Sequence, residues 1–429
     1  MTKTQITAKA VKDAAIFAAS FTSEIRNAAL LRAAELLSVR KDEILFANEA
    51  DMNAAREAGL ARPLVKRLSL TEDKLQSLIC GLRDLVALND PNGRLRFARK
   101  LDDGLVLKCV SCPIGVIGVV FESRPEALVQ IAALCIKSGN GAILKGGSEA
   151  LNSNRVLFDV MQTAAKEACL PENCLALLES REQISELLAC EGYVDLLIPR
   201  GSNSFVRYIM DNTNIPVMGH AAGVCHVYVD EYADLKKAAR IVCDAKTQYP
   251  AACNAAETLL LHQKIANDFF AEYDKIKGDF PAITIRAYGN AAGLTDCEEG
   301  SEDDFGKEFS DNILALKLVA SAEEAIAHIN RYGSSHTDCI VTDNDEVAGL
   351  FFRLVDSAGV YRNCSTRFAD GFRYGFGAEV GISTSKLHAR GPVGLDGLVT
   401  YKYILEGDGH IVGDYANGIR AFKHQDIQL

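Results

Sequence analysis

No run of about 18 consecutive apolar residues occurs in the 429-residue chain, so no segment is a candidate membrane span. The N-terminal stretch MTKTQITAKAVKDAA is polar and helix-forming and holds no apolar signal core, which predicts a cytoplasmic protein. Positive charge is in deficit: 46 Lys and Arg stand against 57 Asp and Glu, a net charge of −11 at pH 7. That balance excludes the basic stripe that would neutralise a phosphate backbone, and nucleic acid is not an expected partner. An anionic small substrate would need a local positive pocket. Repeats and low-complexity segments are absent. Cysteine is not scarce, at 13 residues. Their odd number and their scatter through apolar segments fit free thiols in a reducing compartment. Only Cys109 and Cys112 have C-x-x-C spacing, and with no second pair nearby neither a zinc site nor a redox pair is expected.

From about Thr4 to Leu88 apolar residues recur at three and four, as in EIRNAALLRAAELLSVRKDEILFANEADMNAAREAG, and helices are predicted throughout. NDPNG, Asn89 to Gly93, breaks the pattern. RLRFARKL and LVLKCVSC flank an Asp-Gly turn and read as a hairpin. IGVIGVVFE, PEALVQIAALCIKSG, AILKG, NRVLFDVMQTAAKEA, LALLE, REQISELLAC, VDLLIPRG, SFVRYIMDN and IPVMG then alternate strand and helix. This alternation predicts an α/β, Rossmann-like domain with a parallel sheet and crossover helices. A second α/β set runs from GVCHVYVD to DEVAGLFFRLV, and VGLDGLVTYKYILEGDG ends in a further strand.

Three stretches could carry chemistry. Cys253, in QYPAACNAAETLLLH, interrupts a segment without helical periodicity, unlike Cys80, Cys135, Cys190 or Cys243. A nucleophilic thiolate needs room for substrate, and the neighbouring Ala and Asn residues leave it; the alternative reading is a small buried hydrophobe. The glycines of KSGNGAILKGGSEA and IPRGSNSF sit at strand ends, where backbone amides can hold a pyrophosphate, although neither stretch is a G-x-G-x-x-G fingerprint. Finally, Tyr361 to Pro392 is long, Gly-rich and without a core-forming pattern, and carries Arg362, Arg367, Arg373, Lys386, His388 and Arg390. Segments of that length are functional or simply solvated, and their cations suit carboxylate or phosphate.

In their order, PIGVIGVVFESRP, KSGNGAILKGGSEA, LIPRGSNSFV, IPVMGHAAGVCHVYVD, CNAAETLLLH, INRYGSSHTDCIVT and GFGAEVGISTSKLHARGPVGLDGLVTYKY closely resemble the gamma-glutamyl phosphate reductase family, a branch of the aldehyde dehydrogenase superfamily. The match runs over nearly the whole chain, and FESRPEA, LKGGSEA and STSKLHARGPVGL are specific to the branch. The resemblance implies NADPH-dependent reduction of L-glutamate 5-phosphate to L-glutamate 5-semialdehyde through a cysteine thioester, a step of proline biosynthesis, with no metal. It implies Cys253 as nucleophile, with Ser123 at the position of the superfamily's oxyanion-hole asparagine and Asn254 as a further candidate there. Arg124, Arg367, Lys386, His388 and Arg390 would surround phosphate and carboxylate. Lys145, Gly146, Ser148, Gly201, Ser202 and Glu308 would hold NADP(H). Ser148 replaces a carboxylate that would repel a 2′-phosphate, with Glu149 next to it. Where hydrolytic relatives carry a water-activating glutamate, this chain has His220, which argues for exchange of the acyl group with phosphate and against hydrolysis.

The domain expectation is a cofactor domain over 1–99 and 114–222 and a catalytic domain over 223–393. An oligomerisation hairpin and strand over 100–113 and 394–408, and a tail over 409–429, complete it. A homo-oligomer follows from the same resemblance, and the lability of acyl phosphates leaves room for transient contact with a separate glutamate 5-kinase. Another phosphorylating or CoA-acylating aldehyde dehydrogenase, or a non-catalytic relative on the same scaffold, stays open on the residues alone.

Overall fold

The apolar positions recurring through the first 87 residues are the inward faces of five helices, α1 (Lys3–Ala18), α2 (Ser23–Val39), α3 (Lys41–Glu57), α4 (Arg62–Leu68) and α5 (Glu72–Ala87). Thr2 opens α1 with a reciprocal cap, its hydroxyl accepting from the Gln5 amide while the Gln5 side chain accepts from Thr2. The computed structural model describes residues 1–219 and 222–428, apart from the Pro63 side chain. They divide into two compact units, one of Met1–Met218, Phe376–Gly381 and Val393–Leu429, the other of Gly219–Gly375 and Ile382–Pro392.

In the first unit β1 (Leu95–Asp102) and β2 (Leu105–Pro113) form the expected antiparallel hairpin, with Gly104 at its turn in the left-handed region, φ +76°. There follow β3 (Val116–Phe121), α6 (Pro125–Ser138), β4 (Gly141–Lys145), α7 (Leu151–Glu167), β5 (Leu175–Leu178), α8 (Glu182–Leu188), β6 (Leu196–Arg200) and α9 (Asn203–Asp211). Pro125 occupies the first turn of α6, and Gly139 ends it at φ +74°. The four strands are parallel in the order β5-β4-β3-β6. Strand order therefore reverses between β3 and β6, the place where open α/β sheets hold ligands. IPVMG, expected as a strand, contributes only an isolated bridge from Val217 to Leu197.

The second unit contains β7 (Cys225–Val229), α10 (Leu235–Thr247), β8 (Ala256–His262), α11 (Ala266–Ile276), β9 (Thr284–Ala287), β10 (Glu298–Glu299), β11 (Ile313–Val319), α12 (Ala322–Tyr332), β12 (Thr337–Val341), α13 (Asp345–Leu354) and β13 (Gly359–Arg362). Its seven strands are all parallel, in the order β10-β9-β11-β8-β7-β12-β13. Alternate residues serve opposite faces. Val227, Val229, Leu259, Leu261 and Val341 join Ala239, Val242, Phe269 and Phe270 of α10 and α11. Tyr228, Leu260 and Ile340 join Ile326, Ile329 and Phe351 of α12 and α13. Burial on both faces explains the near-continuous apolar runs of β7 and β8.

The segment after β13 holds the two-stranded pair β14 (Gly381–Ser383) and β15 (Gly391–Val393). Beyond it lie β16 (Val399–Glu406), α14 (Val412–Ala416) and β17 (Gln425–Ile427). β16 and β17 extend the hairpin to an antiparallel sheet ordered β16-β2-β1-β17. By its contacts this sheet counts with the first unit. Among the described residues no helix is long and apolar enough to cross a membrane.

Candidate active site

The second unit gathers polar groups at the start of three adjacent strands. α10 ends at Thr247, Pro250 prevents its continuation, and the turn over 249–255 is closed by the Ala252 amide on the Tyr249 carbonyl and the Ala255 amide on the Ala252 carbonyl. Cys253 lies in this turn, half-buried, just ahead of β8. Gly223, just ahead of β7, presses its backbone onto the turn. A methyl group at Gly223 would stand 2.2 Å from the Cys253 carbonyl oxygen and 2.5 Å from its Cα, so only glycine fits. The Gly223 amide donates to Glu308 Oε2 at 3.0 Å, and Cys225 Sγ lies 3.4 Å from the Cys253 carbonyl oxygen.

The third strand start supplies a residue to which no role was given within INRYGSSHTDCIVT. His336, buried immediately before β12, places Nε2 3.2 Å from Cys253 Sγ and Nδ1 2.9 Å from Thr337 Oγ1. Its signal in the sequence is a polar, aromatic ring at the mouth of an apolar strand, which by itself separates nothing from an ordinary satisfied histidine. Behind it the Asp338 carboxylate accepts from the His226 amide at 2.8 Å, lies 2.9 Å from His226 Nδ1 and accepts from the Ser357 hydroxyl at 2.5 Å. All three residues are buried, and they tie β7 to β12 in one register.

Of the basic residues, Arg367 belongs to the Cys253 neighbourhood. Burial, then Arg373, lowers its guanidinium from the usual value, while Cys253, Asp370 and Asp244 act in the opposite sense. Gln248 accepts from its Nε at 2.9 Å, and Tyr249 lies under the guanidinium at 5.9 Å. Asn254 is buried, and its amide nitrogen donates to the Ala369 carbonyl at 2.7 Å, holding the Arg367 turn against the Cys253 turn. Lys386 and Arg390 instead share Asp356, at 2.6 and 3.1 Å, and His388 is exposed on the same loop. Beneath the site Lys246 and Glu257, both fully buried, meet at 2.6 Å. Burial opposes both charges: it lowers Lys246 and pushes Glu257 up to about 7.

Of the expected cofactor residues, Lys145, Gly146 and Ser148 lie at the end of β4 and Gly201 and Ser202 at the end of β6 in the first unit, whereas Glu308 belongs to the second. Lys145 is buried with Nζ 2.5 Å from the Gly146 carbonyl, and burial lowers it while Glu149 acts in the opposite sense. A methyl at Gly146 would come 2.2 Å from Asn154 Nδ2. Glu149 does not point free beside Ser148: its Oε1 accepts both the amide and the hydroxyl of Ser123 at 2.7 Å. That pair holds Ser123 in the left-handed region, φ +46°, and commits the hydroxyl considered for the oxyanion hole. Arg124 is exposed at the cap of α6. At the reversal of strand order, the Ser202 amide heads α9 and donates to Glu122 Oε2 at 2.9 Å, with Gly201 before it. Amides at a helix start, a close-packed glycine turn and a buried ammonium fit a dinucleotide's phosphates and ribose. His220 lies outside the described residues.

Residues 2–277 match the aldehyde dehydrogenase family. Over 420 residues, 98% of this chain and 96% of the relative, the chain is 54% identical to a gamma-glutamyl phosphate reductase of Pelotomaculum thermopropionicum. It is 53% identical to that of Acetivibrio thermocellus, covering 97% of this chain and 96% of the relative. The crystal structure of gamma-glutamyl phosphate reductase from Thermotoga maritima superposes with a TM-score of 0.93 at 39% identity, over 96% of this chain and 100% of that one.

Proposed function

Since the chain belongs to the gamma-glutamyl phosphate reductases of the aldehyde dehydrogenase family, we propose that it reduces L-glutamate 5-phosphate to L-glutamate 5-semialdehyde and phosphate, in the synthesis of proline from glutamate. The observation that carries the chemical reading is the Cys253 turn: a half-buried thiol on a small-residue turn, seated on Gly223, with the Arg367 guanidinium acting on it. Cys253 Sγ attacks the γ-acyl carbon, the C–O bond to phosphate breaks, and a thioester remains on Cys253. Arg367 stabilises negative charge on the acyl phosphate. Arg124, Lys386, His388 and Arg390 are secondary candidates for substrate anions, and Asp356 must release Lys386 and Arg390 before they take that role.

Lys145, Gly146, Ser148, Gly201 and Ser202 would hold NADP(H), with Glu308 toward the nicotinamide ribose. When bound, that cofactor supplies the hydride that reduces the thioester carbon. With Glu149 tied to Ser123, no carboxylate of this turn is left for the ribose hydroxyls, which favours the 2′-phosphorylated cofactor. Position 220 carries no carboxylate to activate water, so the thioester is kept for reduction or for phosphate. A homo-oligomer through the exposed strand β16 and transient delivery of the labile acyl phosphate by glutamate 5-kinase belong to the same reading.

The test is the reverse reaction, phosphate-dependent oxidation of glutamate 5-semialdehyde, run with NADP and with NAD. NADP-dependent turnover that requires phosphate and vanishes in Cys253→Ala is expected. Turnover with CoA in place of phosphate, or full activity in Cys253→Ala, overturns the reading.

A further inference from the structure

We propose that His336 is the acid–base partner of Cys253: its Nε2 takes the thiol proton as the sulfur attacks and hands that proton to the departing phosphate. The proposal rests on Cys253 being the acyl-carrying nucleophile. The Nε2 to Sγ distance is 3.2 Å, and on the other side of the ring Nδ1 meets Thr337 Oγ1 at 2.9 Å. With Nδ1–H donating to the threonine oxygen, Nε2 is the acceptor for the thiol; once protonated, both ring nitrogens donate, to Thr337 and to the thiolate. One contact thus fixes the tautomer that the other needs.

The acylation half-reaction balances on these groups alone. The S–H proton moves to Nε2, the S–C bond forms, and the C–O bond to phosphate breaks with its electron pair going to phosphate. The imidazolium proton then neutralises one charge of that leaving group. Hydrogen phosphate, a Cys253 thioester and neutral His336 result, and the imidazole is ready for the next proton.

The groups facing the pair come from several elements. Arg367, from the turn after β13, favours the thiolate. Cys225, from the start of β7, is fully buried, and burial, then Asp338 and Cys253, raises its thiol so far that it brings no charge. Glu308 acts one step away, through the Gly223 amide. Asp338 is engaged by His226 and Ser357. Among the described residues, the His336 imidazole and the Arg367 guanidinium are cationic groups at the sulfur, and both lower the pH at which it becomes a thiolate.

The test reads the thiol directly. Alkylation of Cys253 by iodoacetamide, followed by peptide mass between pH 5 and 10 without substrate or cofactor, should keep a reactive plateau below pH 7 in the wild type. In His336→Gln the plateau should vanish and the rate at pH 6 fall about tenfold or more, with kcat for phosphate-dependent turnover down by about 10²-fold or more. Should His336→Gln fail to fold, Thr337→Val, which keeps volume but removes the Nδ1 partner, should shift the plateau in the same direction. A wild-type Cys253 that titrates like an ordinary thiol near pH 8.5, or an unchanged profile in a folded His336→Gln, overturns the proposal while leaving Cys253 as nucleophile. Full turnover in Cys253→Ala overturns the nucleophile, and His336 with it.

Discussion

At the scale of single residues, the sharpest constraint is Gly223. Any side chain there meets backbone atoms of Cys253, and backbone cannot swing aside as a side-chain end can. Gly223→Ala should cost about 1–3 kcal/mol in urea unfolding and should also slow alkylation of Cys253, since relief of the clash moves the turn. The buried Lys246–Glu257 pair gives a contrasting expectation. Lys246→Met strands a carboxyl in the core and should cost about 3–5 kcal/mol, whereas Lys246→Met with Glu257→Leu should recover most of that. For the cofactor, Ser148→Glu places a carboxylate where the chain now has none and should lower kcat/KM with NADP relative to NAD by about tenfold or more, as read from the two reverse-direction rates. Cys253 was legible at this scale because its surroundings lack periodicity. His336 was not: the two side chains are 83 positions apart, and only the pairing of strands brings them to hydrogen-bond distance.

At the scale of elements, regular patterns translated well and short ones did not. The 3.6-residue period marked α1 to α3 and α5, and the apolar runs marked β3, β7 and β8. β9, β10 and β13 are two to four residues long, too short to show alternation, so the width of the second sheet could not be read. The site itself sits at the N-terminal ends of β7, β8 and β12, opposite to the carboxyl ends where the usual rule for open α/β sheets looks; that rule serves the first unit, where Gly201 and Ser202 follow β6. On α12, His328 is packed against Phe305 and Tyr332, each with ring centroids 4.6 Å away. Burial first, then His226, Lys317 and Arg331, pushes it down from 6.5 to about 3. A group whose folded value is depressed in this way stabilises fully above its unfolded value and loses that contribution as pH falls towards the folded one. The unfolding free energy from urea titrations should therefore drop between pH 6.5 and pH 4, by up to about 1.4 kcal/mol per pH unit from this residue, and less steeply in His328→Phe.

At the scale of the whole molecule, β16 is a long exposed strand: after Val399 every residue to Glu406 faces solvent, among them Tyr401, Tyr403 and Leu405. It is also an edge, paired among the described residues with β2 alone in the four-stranded sheet, and an exposed apolar edge is a template for another strand. If β16 joins copies of the chain, Tyr403→Glu with Leu405→Lys should reduce the mass measured by light scattering to that of one 46.4 kDa chain; an unchanged mass would place the contact elsewhere.

The convergence of Gly223, Cys253 and His336 on three neighbouring strand starts has a consequence for how the molecule fails. The placing of Gly223, Cys253 and His336 is the alignment of β7, β8 and β12 themselves, locked by Asp338 across two of them. Heat cannot loosen this site ahead of the sheet. Inactivation and the loss of amide-hydrogen protection in those strands should follow one time course, so the catalytic lifetime of the molecule is the lifetime of its central sheet.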